Sequence, residues 1–200
     1  MIEFKQVSYT YFSNYYPLMD FCYNFNKGIY QLIGDYDTGN LTLIRLIAKL
    51  DTYYKGNILI DNIDLKKVDF KQYNIAYIST NPTFFNNKSV IYNLAYPLLS
   101  RKIKKSEAYN LALQKLIDYN MEHLTNKKIK QLNFNDKLII SLLRASMRNL
   151  DILLVEDIFS LDLPNNFNIF DYVTAETTLI VTKNDLELPN STKIHFDNKN

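Results

Sequence analysis

A single cysteine, Cys22, occurs in the 200 residues, so no internal disulfide can form and a reducing compartment is the natural setting. Histidine is almost absent. His123 and His195 stand far apart, which argues against a histidine metal site and reads as two surface residues. No serine sits in a nucleophile-elbow pattern. No run of about 18 apolar residues exists, so no segment is expected to span a bilayer. Met1–Lys5 carries no apolar run, and the expectation is a chain without a secretion signal. A net charge of +2 gives no strong field, so nucleic acid is not an expected partner. The scarcity of glycine, four in all, bears most on function, because backbone that approaches phosphate closely needs glycine.

What is present suits a soluble globular domain: 47% hydrophobic and 22% charged residues, with enough length for one domain and a buried core. Ile2–Tyr11 and Leu18–Phe25 read as strands, Asn26–Gly28 as a turn, and Ile29–Ile33 as a short apolar strand ending at Gly34. From Thr38 onward, Leu41, Leu43, Ile44, Leu46, Ile47 and Leu50 recur at helical spacing. Ile58–Ile60 and Ile75–Ser79 are strand-like. The middle is helical, with Ser89 and Ser106 placed as N-caps and a third helix over Asp136–Arg148. Ile152–Val155 and Thr178–Thr182 are apolar runs of the kind buried on both faces of a parallel sheet, and Lys193–Phe196 supplies a last short strand. The order predicts an α/β core with a helical subdomain at about residues 80–145, all within a single domain over 1–200.

Between a strand and a helix lies Gly34-Asp35-Tyr36-Asp37-Thr38-Gly39-Asn40-Leu41-Thr42. A phosphate-binding P-loop reads G-x-x-x-x-G-K-[ST] in that context. Both glycines stand at the right spacing, while Asn40 replaces the lysine and Leu41 the magnesium-binding hydroxyl. Taken alone, the segment is equally a strand–helix turn of no special use.

The rest of the chain continues the pattern in register. Leu32–Leu50 resembles the P-loop segment of ATP-binding-cassette (ABC) transporter nucleotide-binding domains. Tyr11 lies at the adenine-stacking position. Tyr77–Pro82 resembles the Q-loop, with Thr80 in place of glutamine. Leu132-Asn133-Phe134-Asn135-Asp136 occupies the signature position. Glu156-Asp157 resembles the Walker B acidic pair with its two acids exchanged, Ser160–Asp162 a shortened D-loop, and Lys183 stands where the switch histidine is expected. The resemblance implies a P-loop NTPase core of the ABC type, with an antiparallel β edge and a helical subdomain. It implies ATP and Mg²⁺ as ligands, a transmembrane ABC subunit and a second nucleotide-binding domain as partners, and a cytoplasmic position on the inner face of the cell membrane.

The departures change what that fold is expected to do. A P-loop combines backbone N–H groups, a lysine on the phosphates and a hydroxyl on magnesium. Here the lysine and the hydroxyl are gone, and Asp35 and Asp37 add negative charge. At about 5 Å and an effective dielectric of about 20, each unit charge is worth on the order of 3 kcal/mol against a phosphate, before solvent and salt reduce it. Catalytic roles implied for Asp157, Lys183 and Thr80 are weakened: Asp157 is one methylene shorter, Lys183 cannot accept a proton when charged, and Thr80 is too short to bridge metal and water. Glu156 is left as a weak metal ligand. The signature segment lacks both glycines. Asn81, Pro82, Phe84 and Phe85 match the segment that, in the family, lines the groove receiving the membrane subunit, although the two phenylalanines read equally well as core. The leading expectation is a pseudo-ATPase acting as a structural or regulatory transporter subunit. An active ATPase with unusual ligands and a soluble module reusing the fold stay open.

Overall fold

The computed structural model describes residues 1–11, 15–35, 37–70 and 72–197. The chain forms two compact units. One holds Met1–Tyr77, Asp151–Asp162 and the chain from Ala175 onward; the other holds Ile78–Leu150 and Leu163–Thr174.

The first unit is built on two sheets. Strands β1 (Ile2–Tyr9), β2 (Leu18–Phe25), β4 (Lys55–Ile60) and β5 (Ile63–Asp64) form one sheet in the order β2-β1-β4-β5, every pairing antiparallel. Ile2 and Phe4 alternate into the core, and the alternation then breaks at a bulge before Val7, where Gln6 takes φ 49°. The second sheet runs β6 (Ile75–Ile78), β7 (Leu150–Val155), β8 (Ala175–Thr182), β3 (Gly28–Ile33) and β9 (Ser191–His195), in the order β6-β7-β8-β3-β9. Strand β3 lies parallel to both β8 and β9. Thr177 through Thr182 are all buried, as the centre of a parallel sheet requires. Helix α1 (Asn40–Ile47) turns Leu43, Ile44, Leu46 and Ile47 inward onto Leu32, Leu154, Leu179 and Val181. Gln31, fully buried in β3, is satisfied on both ends of its amide: Nε2 donates to Leu186 O (2.8 Å) and Ser191 Oγ (2.7 Å), and Oε1 accepts from Leu186 N (3.0 Å).

The second unit is helical: α2 (Val90–Leu99), α3 (Lys105–Asp118) and α4 (Phe134–Ala145) close around Leu94, Ala108, Ala112, Leu116, Ile140 and Leu143. Ser89 caps α2 by accepting from Tyr92 N (3.4 Å), as the sequence predicts. Two boundaries differ from expectation. Helix α3 starts at Lys105 behind Lys104, so Ser106 lies inside it and caps nothing. Helix α4 starts at Phe134, because Asn133 is the N-cap and accepts from Asp136 N (2.7 Å). Among the described residues no helix is long and apolar enough to cross a membrane.

Candidate functional site

The loop from Gly34 to Asn40 joins β3 to α1. Helix α1 begins at Asn40 rather than Thr38 because Gly39 precedes it at φ 99°, a left-handed conformation that ends any earlier helical turn. Both loop glycines are forced by space as well. A Cβ on Gly39 would sit 2.1 Å from Pro17 O, and one on Gly34 would sit 2.4 Å from Thr38 Oγ1 and 2.7 Å from Phe196 O. Asp37 takes φ 71°, a conformation that glycine adopts more readily, and its carbonyl accepts a hydrogen bond from the Tyr15 hydroxyl. Thr38 is buried and folds back, its N–H (3.3 Å) and Oγ1 (2.9 Å) both donating to Asp35 O. Tyr36 lies outside the described residues.

Asn40 is only 3% exposed, and its amide is used up by the loop. Nδ2 donates to Leu32 O (3.2 Å) and Gly34 O (3.0 Å), while Oδ1 accepts from Leu41 N (2.7 Å). The side chain thus turns back on the end of β3 and takes up one of the first N–H groups of α1, a group that would otherwise face an anion. Leu41 is half-buried against the core, and Thr42 Oγ1 lies 3.2 Å from the hydroxyl of Tyr11, whose ring is exposed.

Three further groups of the same unit are positioned around this loop or at the end of β7. Lys183 Nζ lies 3.0 Å from Asp35 Oδ1. Asp157 accepts from Lys183 N (3.3 Å) and Ser160 N (3.2 Å), and burial pushes its carboxyl above the ordinary aspartate range, partly offset by those two backbone donors and by the Lys183 charge. Glu156 accepts from the Tyr77 hydroxyl at 2.6 Å, and burial together with that hydrogen bond raises the Tyr77 phenol. Arg45 holds Asp51 with two donors, Nε at 2.8 Å and Nη2 at 3.2 Å. Thr182 Oγ1 is buried without a partner, and the Thr182 carbonyl accepts from Gly34 N (3.0 Å). Among the described residues, no three His, Cys, Asp or Glu side chains cluster closely enough to hold a metal ion.

The remaining sequence-selected residues belong to the second unit. Thr80 and Pro82 are half-buried and Asn81 is exposed. Leu132 is buried, Asn133 and Phe134 are exposed, and Asn135 and Asp136 form the first turn of α4, where the Asp136 N–H is already taken by its cap. Phe84 packs partly against the helical core, whereas Phe85 is exposed and meets Tyr96 at 4.7 Å between ring centres. Three relationships were not read from the sequence: Tyr77 on Glu156, Lys183 on Asp35, and the grouping of Arg144 and Arg148 beside Phe84 and Phe85. The four-residue spacing of the two arginines was the only available signal.

A glycine-bounded strand–loop–helix on a parallel sheet, with an antiparallel sheet in the same unit, defines a P-loop NTPase fold of the ABC cassette type. The sequence profile described as ABC transporter matches residues 20–160. The chain belongs to the ABC transporter ATP-binding family. It is 29% identical over 126 residues to the molybdate/tungstate import ATP-binding protein WtpC of Methanocaldococcus jannaschii, covering 63% of this chain and 42% of that protein. It is 30% identical over 171 residues to the methionine import ATP-binding protein MetN of Clostridium acetobutylicum, covering 82% of this chain and 53% of that protein. The chain therefore spans about half or less of the length of these relatives. In structure it resembles dimeric MJ0796, a bacterial ABC transporter cassette, with a TM-score of 0.78 at 21% identity over 92% of this chain and 88% of that one. This likeness bears on the fold alone. The family binds ATP and Mg²⁺.

Proposed function

We propose that the chain is a subunit of an ABC transport complex that does not hydrolyse ATP. In this reading it serves as a structural or regulatory partner of a transmembrane subunit at the inner face of the cell membrane, paired with a second nucleotide-binding domain. The names of its relatives, import ATP-binding proteins, support the transport setting. The dimeric state of MJ0796 supports the pairing.

The observation that carries the pseudo-ATPase reading is the Asn40 amide. A P-loop lysine projects a charge toward the β and γ oxygens. Asn40 projects none, and its three hydrogen bonds fasten the loop to itself. Leu41 has no oxygen for magnesium, the Glu156 carboxylate is already engaged by Tyr77, and Asp37 is exposed on the loop. These residues do not fit Mg-ATP in the family's manner. On the signature side, Phe134 and the acidic Asp136 occupy the first turn of α4, where a phosphate would need bare N–H groups.

The test is a titration of the purified chain with fluorescently labelled ATP and Mg²⁺, with phosphate release followed in parallel. The expected outcome is no saturation below about 1 mM and no turnover. Micromolar affinity with turnover sinks the reading. The rival, an ATPase with unusual ligands, draws on one observation: burial raises the Asp157 carboxyl, as a general base requires. Single-turnover hydrolysis by the reconstituted complex, abolished by Asp157→Asn, would establish the rival instead.

A further inference from the structure

Away from the phosphate loop, the first unit holds a cavity of about 510 Å³ beside the end of β1. That size falls in the range of small-ligand sites, about 300–1,000 Å³. A break in the strand ladder lies next to it. The β1–β4 register slips between Lys5 and Ser8, and there Gly56 takes φ 82°, where a Cβ would meet Gln6 O at 2.2 Å. Beyond the slip Ser8 pairs with Lys55, the first residue of β4. Tyr53 and Tyr54 reach the cavity from the connection between α1 and β4, Tyr16 from the one between β1 and β2, and Lys66 from the 3₁₀ turn after β5. Tyr53 is 92% exposed, so the chain leaves its ring almost uncovered. Two hydroxyls of the wall are already engaged: Ser8 Oγ donates to Asp20 Oδ1 (3.1 Å) and accepts from Asp20 N (2.9 Å), and Thr10 Oγ1 donates to Tyr15 O (2.7 Å). The charged residues that line the cavity are the two lysines. Neither reaches a carboxylate within 4.0 Å among the described residues. Lys66 Nζ lies 4.7 Å from the centre of the Tyr54 ring, while the neighbouring acid, Asp64, accepts from Lys66 N (2.8 Å). The Tyr54 hydroxyl is buried without a hydrogen-bond partner, and burial followed by the Asp64 charge pushes it up to about 12, so the ring stays neutral.

Open tyrosine rings stack with planar rings, and ammonium groups without a carboxylate attract anions. We propose that this cavity binds a small planar aromatic molecule carrying a carboxylate or a phosphate: its ring lies against Tyr53 and Tyr16, and its anionic group meets Lys55 and Lys66. A neutral aromatic compound satisfies the rings alone, and an aliphatic acid satisfies the lysines alone. Tyr11, the adenine-stacking position of the family pattern, does not line the cavity, so this site stands apart from the phosphate loop and from the transporter reading.

The test is an NMR titration of the full chain, following backbone amides, with four probes: 1-naphthoate, 1-naphthyl phosphate, neutral 1-naphthol and cyclohexanecarboxylate. The expected result is saturable movement of the Thr52–Lys55 and Lys66 amides with one or both naphthyl anions, with a Kd of about 1 mM or tighter. Whichever of the two anions binds more tightly tells carboxylate from phosphate. Naphthol and cyclohexanecarboxylate are each expected to bind at least about threefold more weakly. Tyr53→Ala, at a fully open position, is expected to weaken the naphthyl anions at least about threefold. Lys66→Gln and Lys55→Gln are expected to remove the preference for the anions over naphthol, and about 500 mM NaCl is expected to do the same. Tyr11→Ala is expected to leave the binding unchanged. Each variant is checked for an intact fold by circular dichroism. No amide movement up to about 10 mM of either naphthyl anion overturns the proposal. So does equal affinity for naphthol or for cyclohexanecarboxylate, and so does binding that survives both Tyr53→Ala and Lys66→Gln in folded chains. None of these outcomes bears on the transporter reading.

Discussion

Lys183 Nζ sits 3.0 Å from Asp35 Oδ1, so an acid on the phosphate loop is met by a lysine from the chain just after β8. The pair alters the electrostatics expected from the sequence, where Asp35 counts as an unbalanced negative charge on the loop. Lys183 offsets it, whereas Asp37, exposed like Asp35, is met by no lysine or arginine within 4.0 Å among the described residues. Both partners are more than half exposed, so the pair carries little stability. Lys183→Gln is expected to change unfolding stability by less than about 1 kcal/mol, read as a near-unchanged urea midpoint. A loss of several kcal/mol would mean that the pair fastens the loop rather than merely neutralising it.

The Tyr77 hydroxyl on Glu156 is a different kind of contact. At 2.6 Å it is a short bond to a carboxylate at the buried end of β7, and burial raises the phenol itself. Tyr77→Phe leaves the carboxylate without this donor. The expected cost is about 1.5–3 kcal/mol in chemical denaturation. A cost under about 0.5 kcal/mol would show that water or another group replaces the hydroxyl freely.

Gly39 is held by two independent constraints, a φ of 99° and a carbonyl oxygen, Pro17 O, that a Cβ would meet at 2.1 Å. Backbone cannot yield as a side-chain tip does. Gly39→Ala is expected to destabilise the chain by more than about 1 kcal/mol, with a fall in Tm visible by calorimetry. An unchanged Tm would mean that the Pro17 segment is free to move aside.

Much of the framework was legible in the residues. Leu18–Phe25 forms a strand over its whole predicted length, Ser89 caps α2, and the apolar run Ile152–Val155 lies within β7. These features follow from local periodicity and capping chemistry, which one sequence displays. Helix starts were less legible at Lys105 and Phe134, because Ser106 looks like a cap and Asn133 does not stand out beside Asn135. At the candidate site the sequence marked the missing lysine and hydroxyl. It could not tell that Asn40 turns inward, or that Tyr77 reaches Glu156 across 79 positions. Such pairings depend on which strands become neighbours, and no local pattern encodes that.

Asp157 gives a pH-dependent prediction. Burial raises its carboxyl in the folded chain above the unfolded value. The folded state then binds the proton more tightly, so the stability this group contributes is present below the unfolded pKa and is lost as pH rises through the folded one. At neutral pH the ionised side chain is a net cost. Asp157→Asn is therefore expected to raise Tm at pH 7, with the gain shrinking as pH falls through the ordinary carboxylate range. A variant less stable than wild type at pH 7 would show that the hydrogen bonds from Ser160 N and Lys183 N outweigh the burial cost.

Restoring the phosphate loop tests the electrostatic argument directly. Asn40→Lys alone returns a cation but breaks three hydrogen bonds, so the variant is expected to lose about 1–3 kcal/mol of stability. Adding Leu41→Ser supplies an oxygen for magnesium. Adding Asp37→Gly removes an acid and relieves a backbone held at φ 71°. A charge change of two units, each on the order of 3 kcal/mol before screening, leaves ample margin for a measurable effect even if solvent removes most of it. The triple variant is expected to bind Mg-ATP at least about tenfold more tightly than the wild-type chain, a gain of about 1.4 kcal/mol by equilibrium titration. Hydrolysis is not expected to return with it, since Thr80, Asp157 and Lys183 are unchanged. A triple variant no better than wild type would mean that something other than loop charge and metal grip keeps nucleotide out.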